Sequence, residues 1–171
     1  MISENANQME SVSFTRMADG TAEEYAFLTP IYEKCRNGVS DRLLELLKAM
    51  KGDKLGYQVD RHTRRLQSAT RAESDGADEE TVVCALLHDL GDVIAPDNHS
   101  EVIASILRPY ISVKNHWVLK HHGLFQGYYY FHYMGETSTP ENVTRIIPFI
   151  RIVSIFVKNG IKHPSILITP P

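Results

Sequence analysis

The residues best suited to chemistry are an adjacent histidine and aspartate, His88 and Asp89, at the end of the apolar segment 82–87. Burying an imidazole and a carboxylate costs free energy unless each group finds a polar partner. A metal ion would satisfy both groups at once, whereas a plain hydrogen-bonded pair at a helix end is the alternative. The pair is therefore the first candidate for a metal site.

Three further histidines are spaced so that each falls on a separate predicted helix or helix end. They are His62, 26 residues before His88, then His99, 11 residues after it, and His122, 23 residues beyond His99. Side chains from separate helices can converge inside a bundle. One ion does not need four histidines and an aspartate as ligands, so the set predicts two metal ions.

Three polar residues near these ligands are candidates for catalytic roles, together with Asp89 itself. Asp92 either accepts a hydrogen bond that orients a ligand imidazole or is simply a helix-end residue. Arg65 is the arginine best placed to contact a small anionic substrate, although most charged clusters on a helix are solvated. Gln126 lies four residues after His122 and shares its helix face if that helix continues.

The elements that must position these residues are helices, and the predicted fold class is all-α. Thr21 and Glu24 form a capping box for the first helix, and Ser40 with Asp41 begins the second. Further helices are expected over residues 60–74, 78–87, 98–107 and 115–122. The second of these four is apolar all round, which predicts a central position in a compact bundle.

Three regions are expected: a flexible leader (residues 1–20), the main domain (residues 21–135) and an atypical tail (residues 136–171). The tail contains eight isoleucines and five of the eight prolines of the chain. Its proline spacing forbids a long helix, and residues 152–157 have a strand-like, β-branched composition. A helical bundle has no obvious place for such a tail.

The composition excludes several classes of protein. The chain has 171 residues, 43% hydrophobic and 23% charged, which is typical of one globular domain. Its net charge of -3 gives no general electrostatic drive toward nucleic acid or an anionic membrane. Cys35 and Cys84 form no CxxC pair, and neither a signal peptide nor a membrane span is visible. A cytoplasmic location is therefore expected.

Three motifs give the chain a family resemblance: LLHDLGD at residues 86–92, NH at residues 98–99 and KHHGLFQGYY at residues 120–129. This pattern resembles the HD-domain superfamily of metal-dependent enzymes. Over residues 20–135 the chain is similar to predicted HD phosphohydrolases that group with the phosphonate-degrading, mixed-valent diiron oxygenases. The resemblance implies an HD-domain helical bundle.

The resemblance also implies the ligands of the metal site. Asp89 would bridge two metal ions, which are iron in the oxygenases, with Mn or Mg as the alternative. The remaining ligands would be His62, His88, His99 and His122. The family pattern places the last histidine directly before a glycine, which favours His122 over His121.

One ligand of the family pattern is missing from the sequence. The superfamily places a closing aspartate well downstream, but none of the nine aspartates lies beyond Asp97. Glu136 or Glu141 substitutes for it, or the site lacks that ligand, or residues 136–171 replace the normal end of the domain. We favour the third alternative because the match stops near Gly135, as it would in a truncated or alternatively spliced product.

Two enzymatic functions fit this ligand set. The first is an oxygenase in which one iron chelates a hydroxylated, phosphonate-like substrate and the other binds O2. The second is a phosphohydrolase in which the metals activate water to attack a phosphate ester or nucleotide. A catalytically impaired metal-binding protein is a third hypothesis, based on the missing aspartate. The oligomeric state is not predicted.

Overall fold

The computed structural model describes residues 10–127 and residue 133, and over these residues the chain is helical without any strand. The six α-helices are α1 (Ala22–Asn37), α2 (Val39–Ala49), α3 (Arg61–Ser74), α4 (Glu79–Leu87), α5 (His99–Leu107) and α6 (Val113–Gly127). Short 3-10 helices cover Met17–Asp19, Leu90–Val93 and Pro96–Asn98. The all-α prediction is confirmed. The predicted tail, including residues 152–157, lies outside the described residues.

No helix in the described part of the chain combines the length and the apolar character needed to cross a membrane.

The chain divides into two compact units, residues 1–45 and residues 46–171. In the first unit, Thr21 caps α1 as predicted: its hydroxyl accepts the Glu24 N–H, and the Glu24 carboxylate accepts the Thr21 N–H at 2.9 Å. Ser13, within the predicted leader, donates its N–H at 2.7 Å and its hydroxyl at 2.8 Å to the same carboxylate. Glu24 therefore holds the start of α1 to the segment before it.

The predicted starts of α3 and α4 are confirmed, and an aspartate side chain caps each of them. Asp60 accepts the Thr63 N–H at 2.6 Å before α3, and Asp78 accepts the Thr81 N–H at 2.8 Å before α4. The bounds of α2 and α6 differ from the prediction. Helix α2 begins at Val39, so its predicted cap lies in the first turn, and α6 covers Val113–Gly127 rather than residues 115 to about 122.

The core of the second unit is formed by α3 against α4, α4 against α6, and α5 against α6. Three small residues, Ala72, Cys84 and Ala85, are completely buried and allow α3 and α4 to approach closely. Helix α4 contacts both α3 and α6, but it is not buried all round, because Val83 is 41% exposed.

Helices α4 and α6 run side by side in matched register. Near their starts, the Asn115 amide donates to Glu80 Oε1 at 2.7 Å and to Thr81 Oγ1 at 3.2 Å. Two helical turns later in each helix, the rings of His88 and His122 meet with centroids 5.1 Å apart. The buried polar contact at one end thus fixes which residues meet at the other.

Gly91 allows the 3-10 helix after α4 to lie directly against the first residue of α5. A Cβ at this position would clash with the His99 carbonyl oxygen and lie 2.8 Å from the His99 Cα. The glycine therefore sets the position of the His99 backbone relative to the end of α4.

We expect Gly91→Ala to destabilise the fold by at least about 1 kcal/mol, because the added methyl group meets backbone atoms that cannot rotate away. Gly123→Ala is the matched control: its methyl group would meet the Ser100 hydroxyl at 2.8 Å, which can rotate, and alanine favours a helix. Urea unfolding followed by circular dichroism measures both variants. Equal stability of the two variants would contradict this account of Gly91.

The Glu24 carboxylate should make stability depend on pH in acid. Hydrogen bonds from the backbone of Thr21 and from Ser13 lower the pKa of Glu24 from 4.5 to about 2. Because the folded state has the lower pKa, this stabilisation is complete above pH 4.5 and disappears as the pH falls toward 2. Urea unfolding is measured from pH 7 to pH 2. The free energy of unfolding should fall less for Glu24→Gln than for the exposed control Glu23→Gln. A loss of the same size in both would refute the assignment.

Candidate metal centre

The carboxylate of Asp89, directly after α4, is the centre of a buried polar cluster. Its Oδ1 lies 2.8 Å from His122 Nε2 and 3.6 Å from His99 Nε2. Its Oδ2 lies 3.0 Å from His88 Nε2 and 2.7 Å from Arg65 Nη2. Asp89 is only 6% exposed, so these groups, rather than bulk water, surround its charge.

The three imidazoles around Asp89 are oriented in the same way. In each ring, Nδ1 faces the carbonyl oxygen three residues earlier: Ala85 for His88 at 2.8 Å, Pro96 for His99 at 2.9 Å, and Leu119 for His122 at 2.6 Å. A neutral ring that donates through Nδ1–H keeps an unprotonated lone pair on Nε2. All three Nε2 atoms then point toward the Asp89 carboxylate.

This donor set fits a metal ion. Lone pairs on neutral imidazoles repel one another and a carboxylate oxygen unless a cation or a shared proton lies between them, and His99 Nε2 is 3.2 Å from His122 Nε2. Ligand atoms of His88, Asp89 and His122 all lie within 4.8 Å of one another, and all three residues are buried. Backbone hydrogen bonds at Nδ1 are the usual way in which proteins orient metal-binding histidines.

His99 and Asp92 form the accessible side of the cluster. The His99 side chain is 21% exposed, and its Nδ1 lies 3.2 Å from Asp92 Oδ1 as well as near the Pro96 carbonyl. This is the contact that the predicted orienting role of Asp92 requires. Ser100, which the sequence analysis missed, places its hydroxyl 3.2 Å from His99 Nε2 and 3.5 Å from His122 Nε2.

Two buried arginines from α3 balance the acidic groups. Arg65 pairs with Asp89 and lies 3.7 Å from Asp92 Oδ2, while Arg61 lies 3.4 Å from Asp92 Oδ2 and 3.3 Å from Asp53 Oδ2. Arg61 was not among the predicted site residues. Its signal was its spacing, one turn before Arg65. Within the described chain, both guanidiniums keep buried N–H groups without a hydrogen-bond partner.

Burial and charge act in opposite directions on the ionisable groups of the cluster. Burial alone would raise the pKa of Asp89, but His88, His122 and Arg65 together hold it well below its ordinary value. Burial lowers the pKa of His88, which favours its neutral form, and it also lowers the pKa of Arg65. The Asp89 carboxylate therefore keeps its negative charge although it is buried.

The structure brings together most, but not all, of the predicted site residues. In the described part of the chain, His62 makes no hydrogen bond or ion pair with the cluster, and α3 contributes Arg65 to Asp89 instead. Gln126 lies on α6 one turn beyond His122, as the continued helix requires, and is partly exposed. His121 points elsewhere and stacks on Trp117 with ring centroids 4.5 Å apart.

The comparison with protein families gives one finding. The family model described as HD domain matches residues 44–156, more than half of the chain. The match begins after the start of the predicted domain at residue 21 and continues past its predicted end at residue 135. Among the curated proteins, none is similar enough in sequence to count as a match.

We expect His122→Ala to weaken metal binding by at least about 100-fold, because it removes a buried donor atom 2.8 Å from Asp89. His121→Ala, a change at the adjacent residue, should leave the affinity within about 3-fold of the unaltered chain. Titration with Mn²⁺ and elemental analysis after gel filtration measure both. Equal metal retention in two variants of unchanged helicity would refute the role of His122.

Proposed function

The chain belongs to the HD-domain family, and from this premise we propose that it is a metal-dependent hydrolase that cleaves a phosphate ester. The proposed ligands are His88, Asp89 and His122, with His99 approaching from the exposed side. The observation that carries the proposal is the buried carboxylate of Asp89 with three imidazole Nε2 atoms directed at it. Such a set of acceptors is stable only around a cation or a shared proton.

When bound, a divalent metal ion would lower the pKa of a coordinated water and polarise a phosphoryl oxygen. The residues of the chain determine where the substrate can approach. Asp89, His88 and His122 are buried, whereas the side chains of His99 and Asp92 are 21% and 24% exposed. Substrate would therefore enter over His99 and Asp92, and the Asp92 carboxylate, 3.2 Å from His99 Nδ1, is placed to hold or pass a proton there.

The charge of the cluster supports an anionic substrate that binds only after the metal. The net charge of the cluster is -1. It contains three carboxylates and two guanidiniums, from Asp53, Asp89, Asp92, Arg61 and Arg65. A divalent cation reverses that sign, so the loaded site attracts a phosphate group and the metal-free site repels it. Gln126, one turn beyond His122, is proposed to contact the substrate.

The donor types favour Mn²⁺ or Fe²⁺ over Mg²⁺. Mg²⁺ prefers oxygen ligands in octahedral geometry, whereas imidazole nitrogens suit the transition metals. A centre with up to three imidazoles and one carboxylate should therefore select Mn²⁺ or Fe²⁺.

A diiron oxygenase is the second candidate, because the same imidazoles and carboxylate suit iron. That reaction would need two irons bridged by Asp89 and would consume O2. The family match covers HD domains in general and does not favour this subgroup. The ion pair of Arg65 with Asp89 at 2.7 Å weighs against it, since it engages one of the two bridging oxygens.

The test of the hydrolase proposal uses the full chain, stripped with a chelator and reloaded with Mn²⁺, Fe²⁺ or Mg²⁺. We expect release of nitrophenol from p-nitrophenyl phosphate or its diester under anaerobic conditions, restored best by Mn²⁺ or Fe²⁺. Asp89→Asn should reduce the rate by at least about 100-fold, because it removes the charge that holds the metal. His121→Ala, outside the cluster, is the control and should keep the rate.

Two results would overturn the proposal. Iron-dependent O2 consumption with a hydroxyphosphonate, without anaerobic phosphate-ester cleavage, would establish the oxygenase. Stable metal binding without either activity would establish the catalytically impaired protein.

A further inference from the structure

We propose that Arg65 occupies the place of a second cation at Asp89, so that the centre holds one metal ion per chain. The inference rests on the proposed function, because it concerns the metal that the hydrolase would use. It differs from the two-metal expectation of the sequence analysis, and the reason lies in the contacts of a single carboxylate.

The two oxygens of Asp89 have different surroundings. Oδ1 lies 2.8 Å from His122 Nε2 and 3.6 Å from His99 Nε2. Oδ2 lies 3.0 Å from His88 Nε2 and 2.7 Å from Arg65 Nη2, which already supplies a full positive charge. In the two-oxygen bridging mode, a carboxylate gives one oxygen to each of two ions. Arg65 holds the oxygen that the second ion would need.

The ligands that the described residues bring together suffice for one ion. His88, Asp89, His99 and His122 offer four donor groups, which is the coordination number of a typical closed zinc-like site. Two ions sharing Asp89 would need several more donors. The predicted additional ligand on α3, His62, makes no hydrogen bond or ion pair to this cluster among the described residues.

Arg65 is held in place from several directions. It is 4% exposed, and its guanidinium lies near both Asp89 and Asp92. Arg61, one turn earlier on α3, contacts the same oxygen of Asp92, Oδ2, at 3.4 Å and also reaches Asp53. Moving Arg65 away to admit an ion would leave a buried cation without a partner, which is strongly unfavourable.

The charge count leads to the same result. The cluster has one net negative charge, so a single divalent ion changes it to one net positive charge. A second divalent ion would raise this to three positive charges in a buried site that already contains two guanidiniums. Such an accumulation is unfavourable where the effective dielectric constant is low.

The test measures how many ions the full chain binds. The chain is stripped with a chelator, loaded with excess Mn²⁺, separated from free ion by gel filtration and assayed for metal and protein. We expect a ratio of one and the EPR spectrum of an isolated Mn²⁺ ion. A ratio of two with the spectrum of a coupled pair would overturn the inference but leave the hydrolase proposal standing. A ratio of zero with Mn²⁺ and with Fe²⁺ would overturn both.

A substitution tests whether Arg65 sets the ratio. Arg65→Met replaces the cation with an apolar chain of similar length, so Asp89 Oδ2 is free for a second ion and the ratio should rise above one. Arg64→Met is the matched control on the same helix, because the Arg64 guanidinium lies over the Tyr57 ring at 4.1 Å. Its ratio should stay at one. A folded Arg65→Met chain that still binds one ion with unchanged affinity would overturn the inference.

If Arg65→Met does not fold, Arg65→Lys keeps a positive charge at the same place and should keep a ratio of one. The EPR spectrum of the unaltered chain then decides the inference by itself.

Discussion

The buried negative charge of Asp89 is the constraint on which the second unit of the chain depends. An isolated carboxylate in this environment would be protonated, but His88, His122 and Arg65 hold its pKa well below the ordinary value. With His99, the side chains around Asp89 come from α3, from the end of α4, from the start of α5 and from the middle of α6. The carboxylate thus selects one arrangement of four helices. A metal ion bound to it would add to the positive charge that offsets its burial.

The positions of these helices follow from contacts that have no chemical role of their own. Asn115 joins the starts of α4 and α6, and Gly91 lets the backbone of His99 lie against the end of α4. The backbone carbonyls three residues before each imidazole then determine the direction of its Nε2. The geometry of the site is therefore a property of helix packing and glycine placement as much as of the ligands.

The sequence predicted those features that depend on local chemistry. The capping box at Thr21 and the helix starts at Asp60 and Asp78 were predicted because each depends on residues within one helical turn. The HD-domain match and the all-α class agree with the motif around His88 and Asp89. The contribution of α3 could not be predicted in this way. His62 and Arg65 lie one turn apart, and only the rotation of α3 in the packed structure decides which of them meets Asp89.

The matched register of α4 and α6 has a consequence for how this chain can change length. Thr81 and Asn115 meet at one end of the pair, and His88 and His122 meet seven residues further along each helix. A single residue inserted between these contacts would rotate the following imidazole by about 100° around its helix axis. Insertions between residues 81 and 88, or between 115 and 122, would therefore separate the two histidines even where each helix remained intact. The site requires these two segments to be equal in length.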